Sequence, residues 1–210
     1  MKLVKKTGTL GLVVLAAIAS PCLMAQDSGW YIGGNVGQSR AKIDDPRIIK
    51  SLTGSGFTVT SIIDDDRKTG SKWFAGYQIN KYFALEGGYF DLRKFGFVAA
   101  TLPSGTLTGD IKLTGYNLDL VGTVPLTDRF SAFGRVGANN AEATDHFVGT
   151  GFVNVINPNP RKRDTNVKYG VGLQYAFNDA LAMRVEGERY RVNDAVGNKG
   201  DVDLISAGLI

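Results

Sequence analysis

The chain of 210 residues contains one cysteine and one histidine. Cys22 falls in the N-terminal stretch, so the rest of the chain can form neither disulfides nor cysteine-based metal sites. His146 stands beside Asp145 in a polar stretch, and no serine or other nucleophile is spaced to work with it. No catalytic residue is therefore assigned, an enzyme is not expected, and neither a cofactor nor a metal is expected. Long apolar runs are also scarce. One covers residues 10–19, about half of the roughly 20 residues a spanning helix needs. Nothing after it is long and apolar enough to cross a membrane as a helix.

That single run has a different reading. Lys2, Lys5 and Lys6 precede it, and Ser20, Pro21 and the small residue Ala25 follow it. This is the layout of a secretory signal peptide, expected over residues 1–25, leaving 26–210 as one domain. Lipidation at Cys22 fits less well, because Ala19-Ser20-Pro21 lacks the leucine-led pattern of small residues that such processing prefers. Loss of the leader removes three of the 24 basic residues and no acids, leaving 21 against 20, a net of +1. The basic balance thus belongs mostly to the leader, and no nucleic-acid partner is implied.

What the chain has in quantity is alternation. In the stretch MRVEGER, residues 183–189, Arg184, Glu186 and Glu188 alternate with Met183, Val185 and Gly187. A helix would scatter these charges around its circumference. A strand puts all three on one face. Similar segments cover residues 29–40, 71–79, 82–92, 110–124, 129–138, 166–177, 181–190 and 201–210, eight in all. Tight turns at 80–81, 125–128 and 178–179 alternate with polar stretches at 42–69, 93–108, 139–164 and 192–200, which read as long loops. Within the first of these, Asp45 reads as the cap of a short helix, with Pro46 in its first turn and Arg47 to Leu52 following. The fold expected is all-β: an eight-stranded antiparallel up-and-down transmembrane β-barrel, with short periplasmic turns and long extracellular loops. An even strand count leaves both chain ends on the periplasmic side.

Periodicity alone does not separate this barrel from a soluble ligand-binding barrel with its apolar face inward. The leader, the asymmetry of the turns and the placement of aromatics favour the membrane. Trp30, Tyr82, Phe83, Phe130, Tyr175 and Phe177 fall near the short-turn side, and Trp73, Tyr89, Tyr116 and Tyr169 toward the loops. Expected to face lipid are Trp30, Leu85, Tyr89, Leu118, Leu120, Val171, Leu173, Met183 and Val185. A lumenal polar network is expected from Glu86, Asp119, Arg135, Arg184 and Glu186, with Asn117 and Gln174 as neutral partners. Inward glycines such as Gly33, Gly88 and Gly172 leave room for these long side chains.

The stretches GWYIGGNVG (29–37), AGYQINKYFALEGGYF (75–90), VPLTDRFSAFGRVG (124–137), LQYAF (173–177) and AMRVE (182–186) resemble the eight-stranded transmembrane domain of the outer membrane protein A family. The resemblance covers the strands and short turns and does not extend to the long loops. It implies a lumenal pair between Glu86 on the third segment and Arg184 on the seventh, with Arg135 on the fifth. It also implies a lysine on the fourth segment and a glutamate on the sixth, where this chain has Val121 and Gln174. The partner-switching gate proposed for that family would then lack its alternative partner, and Asp119 offers Arg135 or Arg184 a different one.

The same resemblance implies insertion in a Gram-negative outer membrane after export through the periplasm. Outer-membrane lipids and the barrel-assembly machinery are the expected partners. The basic run at 157–163 offers contacts to lipopolysaccharide phosphates, and Asp64-Asp65-Asp66 reads as a solvated acidic loop. A terminal aromatic and a downstream peptidoglycan-binding region are further implied. Neither is in this sequence, so a truncated barrel with a weak closing strand pair is expected. The functional expectation is a mainly structural, surface-interacting barrel with a filled lumen. The alternative is a small ion channel, and a weaker one is the soluble barrel.

Overall fold

The computed structural model describes residues 28–193 and 199–210. The leader, Cys22 and the middle of the last long loop lie outside these residues. The elements in chain order are β1 (Gly29–Ala41), α1 (Asp45–Gly54), β2 (Thr58–Asp65), β3 (Arg67–Asn80), β4 (Phe83–Leu102), β5 (Gly105–Pro125), β6 (Phe130–Gly151), β7 (Arg161–Asn178), β8 (Leu181–Asn193) and β9 (Lys199–Leu209). All pairings are antiparallel. The strands β1 and β3 to β9 pair in sequence, and β9 returns to β1, closing an eight-stranded barrel. The ninth strand, β2, is not part of the ring. It pairs with the far half of β4, from Thr58↔Leu102 to Asp65↔Gly96.

The alternation in MRVEGER works as the pleat requires. Met183 and Val185 are exposed on the outer wall, whereas Arg184, Glu186 and Glu188 are buried inside. The same parity puts Trp30, Leu85, Tyr89, Leu118, Leu120, Val171 and Leu173 on the outer wall, each at least 40 % exposed. Their register forms bands. Trp73 pairs with Tyr89 and Tyr89 with Tyr116, a row of three aromatics across β3, β4 and β5. Nearer the short turns, Trp30 lies beside Tyr77 at 5.1 Å and Tyr175 beside Phe177 at 5.4 Å. On β7 the outward apolar series Val167, Tyr169, Val171, Leu173, Tyr175 and Phe177 covers ten steps. At about 3.3 Å per step and a tilt of about 45°, it is roughly 23 Å tall, close to the apolar band of an outer-membrane barrel.

The polar stretches read as long loops are largely strand. The chain of β4 continues to Leu102, turns at residues 103–104 and returns as β5. The reason lies at a bulge in β4, where the register shifts between Asp91 and Arg93 and Arg93 adopts φ 73°. The extra residue reverses the face parity. Leu92 and Phe95 both end up buried, although three positions separate them. A period of two therefore breaks at Arg93-Lys94 and resumes in the opposite phase. Likewise β6 reaches Gly151 and β7 begins at Arg161, so the basic run at 161–163 is strand.

The stretch 42–69 divides into α1, β2 and the start of β3. The cap of α1 is Asp44 rather than Asp45, since the Asp44 side chain accepts from the Arg47 N–H. Leu52 anchors the helix against Phe97 and Ala99, and Ile48, Phe57, Val59 and Ile62 pack around them. Of the acidic run, Asp64 and Asp65 end β2 and Asp66 follows it. Asp65 pairs with Lys68, and Asp66 with Arg40 at 3.0 Å. Burial, with Asp45 and Asp66 nearby, holds the Asp64 carboxyl above the usual carboxylate range.

The closing seam joins β1 to β9 over Gly34↔Leu209 to Ala41↔Val202, eight pairs, against twelve between β1 and β3. It is made by close backbone approach. A Cβ on Gly37 would overlap the Ile205 carbonyl, and one on Gly208 would overlap the Gly34 carbonyl and the Asn35 side chain. Gly187 on the neighbouring strand has open space instead. Gly37→Val and Gly208→Val should each destabilise the barrel by about 1–3 kcal/mol through overpacking. They should lower the temperature at which the folded form loses its fast mobility on gels, while Gly187→Ala melts like the parent. Equal melting of all three variants would contradict the closed seam.

Candidate functional site: the lumenal charge layer

The barrel interior is stacked in three layers. Nearest the short turns, Ala84, Val121 and Phe133 form an apolar layer with Tyr31 beside it. Next come eight charged side chains: Glu86, Asp119, Glu186 and Glu188 against Lys72, Arg135, Lys168 and Arg184. None is more than 4 % exposed, and four acids balance four bases. Above them Phe90, Leu92, Phe95, Leu113, Tyr190 and Leu204 belong to a second apolar cluster.

Arg135 is the hub. Its guanidinium lies 2.9 Å from Glu86, 2.8 Å from Glu186, 3.3 Å from Asp119 and 3.4 Å from Glu188. Arg184 meets Glu86 at 2.7 Å and donates to Gln174 at 3.1 Å. Lys72 bridges Glu186 and, at 2.9 Å, Glu188. Lys168 bridges Glu188 and, at 2.6 Å, Asp119. Asn117 donates to Asp119 at 2.9 Å. Every strand of the ring reaches this layer. From β1, Tyr31 donates to Glu86 at 2.8 Å and Asn35 to Glu186; on β9, Ser206 accepts from Asn35 at 3.5 Å.

Two features make room for so many long side chains. Across the strand pairs, Glu86 faces Gly76, Asp119 faces Gly137, Glu186 faces Gly172, and Gly170 faces both Arg135 and Glu188. The second is aromatic. The Arg184 guanidinium lies 4.5 Å from the Phe133 ring centre and 5.2 Å from that of Phe74, and Lys168 lies 5.0 Å from Tyr190. These rings offer cations a favourable face where water is excluded.

All seven residues named from the sequence, Glu86, Asp119, Arg135, Arg184, Glu186, Asn117 and Gln174, meet in this layer. Three further charges complete the layer: Lys72, Lys168 and Glu188. Lys168 and Glu188 stand on the polar faces already recognised. Lys72 shares the parity of Phe74, two residues on, but stands at the very edge of the alternating segment 71–79. Val121, at the position where a lysine was implied, belongs to the lower apolar layer, and lumenal lysines come instead from β3 and β7. Glu86 does have a second cationic partner, Arg135. His146 is exposed on β6, its Nδ1 2.6 Å from Asn159 Oδ1. Among the described residues no group of three or more His, Cys, Asp or Glu side chains is arranged to hold a metal.

A closed eight-stranded ring with an apolar outer band, aromatic rows and charges turned inward is the architecture of an outer-membrane barrel. The chain matches the family model described as "Outer membrane protein beta-barrel domain" over residues 10–209, and it belongs to that family. Solved structures with the same fold include Neisserial surface protein A, at 12 % identity and a TM-score of 0.56, covering 88 % of this chain and 97 % of that one. The attachment invasion locus protein Ail of Yersinia pestis, solved with the heparin analogue sucrose octasulfate, gives 17 % identity and a TM-score of 0.49, covering 88 % and 100 %. OprG of Pseudomonas aeruginosa gives 15 % and 0.48, covering 87 % and 96 %. No curated protein matches the sequence significantly.

Removing one partner from a buried ion pair leaves an uncompensated charge and costs about 3–5 kcal/mol. Arg135→Gln should therefore destabilise the barrel more than Arg184→Gln, because it strips a cation from four carboxylates rather than one. The double variant Glu86→Gln/Arg184→Gln should recover at least about 1 kcal/mol relative to the sum of its single variants. Urea unfolding in lipid vesicles measures both; additive losses would show that the pair is not coupled.

Proposed function

We propose that the protein is an integral outer-membrane barrel of a Gram-negative envelope, exported through the periplasm after cleavage of residues 1–25. Its role is structural and surface-interacting, and its lumen carries no ion path. The observation that supports this most is the layering of the interior. An ion entering from either end meets an apolar layer before it meets the charges. On one side Ala84 and Val121 are 1 % exposed, and on the other Phe90, Leu92, Tyr190 and Leu204 are 0 %. Transfer of an unpaired ion through such packing is prohibitive, and an eight-stranded ring is just wide enough for side chains to fill.

The surface role rests on the part of the wall beyond the apolar band. There the outward side chains become charged and cross-paired. Arg189 grips Asp203 through two bonds of 2.6 and 2.8 Å, Lys94 meets Asp110 at 2.7 Å, and Arg163 pairs with Glu142. This rim suits lipopolysaccharide headgroups, whose phosphates the exposed Arg161 would meet. In folding, the outer-membrane lipids and the barrel-assembly machinery are the proposed partners, and no catalytic role is proposed.

Purified protein in a planar bilayer should give no stepwise conductance above that of protein-free membranes, at either polarity. Reproducible unitary steps would favour the channel reading instead. The membrane orientation has its own test. Leu85 is outward in the apolar band, where an arginine costs about 2–4 kcal/mol near the bilayer midplane. Leu85→Arg should lower refolding yield in lipid vesicles well below that of Asn157→Arg, a change at an exposed position beyond β6. Equal yields would place Leu85 outside the lipid.

A further inference from the structure

The far mouth of the barrel holds a cavity of about 230 Å³ between the tops of the strands and α1. Its walls include Phe97, Ile111 and Phe147, and Ile48 of α1 closes one side. Leu113 and Val202 line its inner end and belong to the upper apolar cluster, which seals the way to the charge layer. The cavity is thus a cup closed at its inner end, on the side of the barrel away from the short turns. An apolar cavity of about 150 Å³ already accepts a benzene-sized molecule. This one has space for a single ring and a short chain.

The polar residues on the cavity's lining are few and unequally engaged. Asp44 is committed to capping α1, Asp201 lies 3.6 Å from Arg191, and Arg47 of α1 is engaged in an interaction of its own. Lys42 also lines the cavity, is exposed, and has no ion-pair partner among the described residues. A pocket with an apolar wall and one cation outside any ion pair, Lys42, selects for a matching body and headgroup. We propose that this cup binds a small anionic amphiphile, a ring or short alkyl chain ending in a carboxylate, with the apolar part against Phe97, Ile111 and Phe147 and the carboxylate on Lys42. This goes beyond the structural role. It assigns a binding site without a passage, because the inner end is closed.

The test uses the folded protein in phospholipid nanodiscs, titrated with 4-phenylbutyrate by calorimetry, with empty nanodiscs subtracted. A saturable heat at one site per barrel is expected, with a Kd on the order of 0.1 mM for a ligand of this size. Lys42→Glu should weaken 4-phenylbutyrate about tenfold and leave the neutral 4-phenylbutanol unchanged. Ala41→Trp and Leu107→Trp each fill the cup and should abolish binding of both; retained heat-modifiable mobility on gels shows which variants have folded. A heat no greater than that of empty nanodiscs overturns the site. Undiminished binding in a folded filled variant overturns the location. An unchanged Kd in Lys42→Glu overturns the anionic class of the ligand.

Discussion

Four acids and four bases, drawn from six strands and kept from water, set the constraint on which the barrel depends. Glu86 and Asp119 stand directly opposite each other on β4 and β5, a repulsive placement on its own. It holds because Arg135 reaches both from β6. Glu186 and Glu188 on β8 are in turn tied to Lys72 on the other side of the ring. Some ties join neighbouring strands, as Asp119 to Arg135 and Lys168 to Glu188, but Glu86 to Arg184 and Lys72 to Glu186 join strands that share no ladder. The network is complete only when the sheet has closed, so closure and charge satisfaction are one event. In hydrocarbon the backbone makes the same demand, since an open edge leaves unpaired N–H and C=O groups.

This accounts for the unequal distribution of glycine and bulk inside. The middle of the lumen needs long polar side chains, so glycines such as Gly170 and Gly172 stand across from Arg135 and Glu186. Above and below, where no charge must be met, Phe90, Tyr190 and Phe133 fill the width. Several carboxylate oxygens, including Glu86 Oε2 and Glu186 Oε2, meet Arg135 as close ion contacts without hydrogen-bond alignment. The five N–H donors of a guanidinium lie in one plane with fixed directions, and the four carboxylates around it do not all lie along them.

Most of the ring was legible from the sequence because one physical rule covers it. Around the charge layer the inside is polar and the outside is not, so Met183, Val185, Leu118 and Leu120 declare their face by chemistry alone. The seven lumenal positions followed from that contrast and from the resemblance. Beyond the band the contrast disappears. Outward residues such as Arg189 and Lys112 are charged, inward ones are mixed, and the bulge at Arg93 reverses the phase. Sequence parity then reads strand as loop, as it did over 93–108 and at the ends of β6 and β7. Lys72 escaped for a related reason, since it stands just where the outward face changes from Trp73 to Ser71. The cap at Asp44 was one residue away from Asp45, and both are aspartates; only the accepted Arg47 N–H separates them.

The length of β4, β5 and β6, at 20, 21 and 22 residues, is about twice what a crossing of the hydrocarbon requires. The surplus turns the outward-facing end of the molecule into a stiff sheet rather than a fringe of loops. Side chains that are adjacent there, such as Lys94 and Lys112 or Thr106 and Thr150, come from different strands. A receptor, phage or antibody that grips this wall reads a discontinuous mosaic, assembled from segments distant in the chain. Its shape survives only as long as the sheet does. A linear peptide copied from residues 94–101 presents a strand without its neighbours, and so carries little of the surface that the intact barrel displays.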